Sequence, residues 1–242
     1  TLRIKLKEGI LFSTGTPLTA EDVLWHYVRT SQQSVSASQF VFVDAENSYV
    51  EDELTVVIKF TQPWAPFLNT LATARGQIVS KQAYEEMGEE AFARAPVGTG
   101  PYKIVEWVSG SHISLTANEY YWGGEVKTPN ILIRFVEESS GRVIELETGA
   151  ADIAYYIEGS DIQRVEEIPG YHIESGDSYR YYVIMLSMQE PLFQDQRVRY
   201  AMSYAIDKEA LVNVCTNGVG IPINTKGPPL VIEGMKEQPE IP

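Results

Sequence analysis

Leu2, Ile4 and Leu6 alternate with Arg3, Lys5 and Lys7, the two-residue period of a strand with one wet face. The same period returns at Leu54, Val56, Ile58 and Phe60. With apolar Phe40-Val41-Phe42-Val43 before it and Glu51-Asp52-Glu53 as the turn, residues 40–60 predict a hairpin. Between these strands the period changes. Thr19-Ala20-Glu21-Asp22 is a helix start, because a threonine hydroxyl and an acid three residues later can answer each other's backbone amides. Val23, Leu24, Tyr27 and Val28 supply the apolar face of that helix. Pro63–Leu68 breaks the hairpin and opens a short apolar helix to about Ala74. Lys81–Arg94 predicts a further helix, with Glu85, Glu86, Glu89 and Glu90 on its wet side.

Pro96-Val97-Gly98-Thr99-Gly100-Pro101-Tyr102 interrupts the pattern. The prolines hold their own φ and push Ala95 and Gly100 toward extended backbone, while glycines can take positive φ. The expectation is a stiff crossing with little side-chain bulk, suited to a close backbone approach. Tyr102–Val108 and Ile113–Ala117 then predict a hairpin through Ser109-Gly110-Ser111, and Ile131, Ile133 and Phe135 another strand. A helix over 140–148 stops at Gly149, a strand is expected over Asp152–Ile157, and a short helix over Asp161–Glu167 ends at Pro169-Gly170. Tyr181–Met188 reads as the last strand. Asp195 and Asp207 cap two helices, the first with Val198, Ala201, Met202, Ala205 and Ile206 as its apolar stripe. Strands alternating with short helices predict an α/β protein with a mixed sheet.

The chain has 242 residues and a formal net charge of -14. That acidity argues against nucleic acid and against anionic membranes, both of which need a basic face. Cys215 is the single cysteine, so neither a disulfide framework nor a thiolate zinc site can form within one chain. The chain begins inside a strand and ends without closing an element, as an internal fragment of a longer protein would. His26, His112 and His172 lack the spacings of metal sites, no Gly-x-Ser-x-Gly elbow occurs, and Gly98-Thr99-Gly100 leads into a strand instead of the helix N-terminus a phosphate loop requires. Neither an enzyme nor a cofactor is expected. The remaining chemistry is aromatic: Tyr155, Tyr156, Tyr171, Tyr179, Tyr181 and Tyr182 crowd a short region, where core packing and the lining of a cleft both suit a ring with a polar tip.

Five stretches resemble one family, in order. They are Phe12–Val23 (FSTGTPLTAEDV), Pro96–Tyr102 (PVGTGPY), Asn118–Gly123 (NEYYWG), Leu146–Ile153 (LETGAADI) and Arg197–Lys208 (RVRYAMSYAIDK). Together they are similar to the extracytoplasmic solute-binding proteins of dipeptide, oligopeptide and nickel ABC importers. The resemblance implies a type II periplasmic-binding-protein-like lobe with an additional subdomain and an incomplete second lobe. Residues 1–95 would form the extra subdomain, 96–185 a core segment of the large lobe, and 186–242 the start of the second. It also implies a monomer, periplasmic or lipid-anchored at the cell surface, that closes on a short peptide or similar small solute and is read by a membrane permease. Nickel complexes and oligosaccharides stay open as ligands, and so does the alternative of a regulator's ligand-sensing domain on the same fold. Gly98, Thr99 and Gly100 are candidates to offer backbone to a ligand, beside a purely structural role, and Tyr155, Tyr156, Tyr181 and Met185 are candidates to line the pocket. Ser13-Thr14 and Met185-Leu186-Ser187-Met188 depart from the family pattern, the second near the expected lobe crossing.

Overall fold

Asp22 explains how the first helix begins. Its Oδ2 accepts from both the amide (3.0 Å) and the hydroxyl (2.8 Å) of Thr19, as a helix-start carboxylate should. In the computed structural model, which describes residues 1–33, 37–176 and 182–223, the chain falls into two compact units, 1–135 and Val136 onward.

The first unit runs β1 (Leu2–Lys5), α1 (Ala20–Gln32), α2 (Ala37–Phe40), β2 (Val43–Asp52), β3 (Thr55–Phe60), α3 (Phe67–Leu71), α4 (Lys81–Met87), α5 (Glu89–Arg94), β4 (Tyr102–Val108), β5 (His112–Ala117) and β6 (Asn130–Arg134). Its strands form two three-stranded sheets, β1-β3-β2 and β4-β5-β6. Every strand pairing among the described residues is antiparallel. The expected hairpin over 40–60 exists but starts later, because Phe40 ends α2 and points its ring into the core. There Ala20, Val23 and Tyr27 of α1 meet Val56 and Ile58 of β3, with Phe40, Val43 and Phe67. A second buried cluster joins Phe12, Ala83, Phe92 and Val97. The helix expected over 81–94 is two helices, since Gly88 takes φ 78° and restarts the chain.

The β4-β5-β6 sheet is different. Its register puts Trp107, Ile113 and Ile133 in one row and Ile104, Leu115 and Ile131 in the next, so one face is apolar throughout. None of the six is buried, and none joins a core cluster.

The second unit carries α6 (Ser139–Glu147), α7 (Ile162–Glu166), α8 (Pro191–Gln194), α9 (Gln196–Ala205) and α10 (Lys208–Thr216). Val143, Leu146 and Val165 form its buried cluster. The strand expected over 152–157 is absent: the segment bends at Asp152 and Tyr155 and is left-handed at Tyr156, with φ 58°. Residues 182–188 likewise carry no strand, and Tyr181 lies outside the described residues. Both stretches are rich in the apolar and aromatic residues that suit a strand, but neither has a paired neighbour among the described residues, and a strand exists only when paired. Asp195 and Asp207 do cap α9 and α10, accepting from the Arg197 and Ala210 amides. The apolar stripe of α9 has no buried member.

Candidate functional site

The crossing at 96–102 is held by residues from three other stretches. Ser13 donates its amide to the Gly98 carbonyl at 2.9 Å, and Ser80 donates to the Val97 carbonyl at 2.9 Å. Asn118, 3% exposed, donates Nδ2 to the Gly100 carbonyl at 2.8 Å. Its own amide donates to the Pro101 carbonyl (2.8 Å), and its Oδ1 accepts from the Tyr120 amide (3.0 Å). Tyr120 in turn lies against Gly15, where an added Cβ would stand 3.0 Å from the ring and where φ is 84°. The stretches 12–23, 96–102 and 118–123 are therefore one hydrogen-bonded assembly. Neither Gly98 nor Gly100 takes the positive φ that glycine allows, and a Cβ at Gly100 would meet nothing within 4 Å. Thr99 is half-buried, and Gly100 is exposed.

Beside this assembly, a cavity of about 330 Å³ opens between the starts of α1 and α4, with Phe12, Thr16, Asp22, Ser80 and Lys81 among its lining residues. It contains none of the predicted site residues. Two of its carboxylates are engaged: Asp22 as above, and Glu21 by the Lys81 ammonium at 2.5 Å.

The candidate tyrosines belong to the second unit, as does Met185. Tyr155 is 74% exposed, Tyr156 73% and Met185 87%. The turn carrying the tyrosines is anchored on both sides. Ser139 donates its hydroxyl to Asp161 Oδ2 (2.6 Å) and accepts from the Glu158 amide (3.0 Å). Arg142 donates Nη1 to the carbonyls of Val136 (2.8 Å) and Glu137 (2.6 Å), and Nη2 to the Tyr156 carbonyl (2.7 Å). A left-handed backbone costs a residue with a Cβ about 1–2 kcal/mol, so Tyr156 needs such a partner. Tyr171, by contrast, packs on the buried cluster and donates its hydroxyl to the Ala151 carbonyl at 2.9 Å.

Asn118 and Arg142 do the structural work at both places, and sequence reasoning did not single out either as such. Arg142 carried a signal: a cation in the first turn of a helix opposes the helix dipole, so it needs a reason to be there. Among the described residues, no cluster of His, Cys, Asp and Glu could hold a metal ion. His26 is a core histidine: burial, first of all, lowers its pKa, and its Nε2 lies 3.0 Å from the Arg75 carbonyl. No helix among the described residues is long and apolar enough to cross a membrane.

Set against solved structures, this is a periplasmic-binding-protein-like fold. NikZ from Campylobacter jejuni, in complex with Ni(L-His), superposes with a TM-score of 0.78 at 26% identity, over 92% of this chain and 45% of NikZ. The oligopeptide-binding protein AppA from Bacillus subtilis, in complex with a nonapeptide, gives a TM-score of 0.78 at 24% identity over 94% and 46% of the two chains, a likeness of fold alone. Residues 1–240 match the model of the bacterial extracellular solute-binding proteins, family 5 (middle), and the chain belongs to that family. It is also 29% identical to the glutathione-binding protein GsiB of Escherichia coli strain K12, over 99% of this chain and 47% of GsiB. The chain thus spans about half the length of the curated relatives it matches.

Proposed function

We propose that the chain is part of the substrate-binding component of an ABC importer, which captures a short peptide or similar small solute outside the cytoplasm and hands it to a membrane permease. The observation that carries this reading is family membership across residues 1–240. Two relatives point to ligands built on amino acids: GsiB is glutathione-binding, and NikZ holds nickel with L-histidine. The work is binding without chemistry, driven by the closure of two lobes on the solute.

In this reading residues 1–95 form the added subdomain, 96–185 a segment of the large-lobe core, and 186–242 the opening of the second lobe. The buried cluster around Phe40, which draws on residues 20–67, lies within the first of these segments. Tyr155, Tyr156 and Met185 are the side chains this reading offers to the solute, while Tyr181, also a candidate, lies outside the described residues; the backbone of Gly98, Thr99 and Gly100 is a candidate in its own unit. Tyr155, Tyr156 and Met185 are large, exposed side chains.

Native mass spectrometry of the protein purified without denaturation tests the reading. The expected result is a non-covalent adduct of small-peptide mass. A solute-free protein whose tryptophan emission ignores added dipeptides, tripeptides and glutathione would overturn it.

A further inference from the structure

We infer that Arg142 is a positioning residue: its guanidinium holds Tyr156 in the left-handed conformation and so presents Tyr155 and Tyr156 as a rigid aromatic pair. Several observations converge on this. One guanidinium reaches three backbone carbonyls, two just before α6 and the third at Tyr156, fourteen residues beyond Arg142 itself. Arg142 Nε is buried without a hydrogen-bond partner, so the side chain gives up one donor to keep this fork in place. Tyr156 has the only positive φ of a non-glycine residue besides Asn217 among the described residues, and Asn217 sits at a helix end, where asparagine commonly takes that conformation.

The two rings at this strained point are about three-quarters exposed, so burial of the tyrosines does not explain the strain. A rigid, exposed aromatic pair is what a binding surface gains from, since ordering it on contact would cost conformational entropy. A lysine at 142 would keep the charge and lose the planar fork that spans the three carbonyls. The presentation of the pair to a solute rests on the importer reading above; the clamp itself does not.

The test is chymotrypsin cleavage after Tyr155 in the full 242-residue chain, with the urea midpoint measured in parallel. Arg142→Lys is expected to speed that cleavage about tenfold through local opening. Cleavage elsewhere should change much less. Combining it with Tyr156→Asn, which accepts the left-handed region without a clamp, should restore much of the resistance. Cleavage unchanged by Arg142→Lys would overturn the proposal. So would uniform acceleration at all aromatic sites with no recovery in the double variant, since that is what a general loss of stability produces. Glutathione then serves as the probe solute. Protection of Tyr155 in the parent chain and not in Arg142→Lys supports the presentation role. Clamped tyrosines that glutathione and dipeptides leave equally open to cleavage would remove that role while the clamp stands.

Discussion

The amide of Lys81 donates to Asp22 Oδ1 at 3.0 Å, across 59 positions of sequence. Asp22 starts α1 and Lys81 is the first residue of α4, so one carboxylate serves the orphan donors of two helices. Because Asp22 is 8% exposed, water cannot replace it. Asp22→Ala should cost about 2–3 kcal/mol, read as a lower urea midpoint. Asp22→Asn, which keeps one acceptor oxygen, should cost about half as much. Equal costs for the two variants would mean that the side chain's bulk matters more than its hydrogen bonds.

Asn118 and Gly100 offer a contrast within one contact. The Asn118 side chain makes two hydrogen bonds while buried, so Asn118→Ala should cost about 2–3 kcal/mol in urea denaturation. Gly100 has open space at its Cβ position and no positive φ. Gly100→Ala should therefore change stability by less than about 1 kcal/mol, in either direction. A large loss at Gly100 would point to a conformation other than the one described.

Exposure also ranks two apolar positions. Phe12 is 1% exposed inside a buried cluster, and its truncation to alanine should cost about 3–5 kcal/mol. Ile133 is 42% exposed on the apolar face of β4-β5-β6, so Ile133→Thr should cost less than about 1 kcal/mol. It should also reduce the binding of a hydrophobic dye such as ANS, which the exposed face of this chain is expected to support.

Acid should weaken the first unit through His26. Burial lowers its pKa below the ordinary 6.5, so the unfolded chain takes up a proton first as pH falls. Stability is then independent of this group above about pH 6.5 and is lost as pH drops below it, because the unfolded state binds more protons there. His26→Gln should flatten that part of a stability-against-pH curve. An unchanged slope in the variant would assign the acid sensitivity to other groups.

Local chemistry was legible in the sequence wherever a residue's partner lies within a few positions. The Thr19–Asp22 helix start and the caps at Asp195 and Asp207 are read from sequence and found, the two caps accepting from the Arg197 and Ala210 amides. The hairpin 102–117 follows equally from alternation around Ser109-Gly110-Ser111. Strands failed where an apolar run had no neighbour: 152–157 and 182–188 are rich in strand-forming residues and have no ladder among the described residues. Phe40 failed for the opposite reason, since the same apolar run could end a helix or begin a strand, and packing against Tyr27 and Phe67 chose the helix.

The Gly98-Thr99-Gly100 crossing shows where this boundary runs. Sequence alone determined that the segment is stiff, slim and extended into a strand, and the ordered motifs around it implied the family. Only the tertiary structure decided what the carbonyls of Gly98 and Gly100 face, namely Ser13 and Asn118. It likewise decided that Arg142 reaches Tyr156. The reason is physical: propensity, capping and periodicity act over one or two turns of chain, whereas a hydrogen bond between residues 18 or 85 positions apart exists only once burial has brought them together.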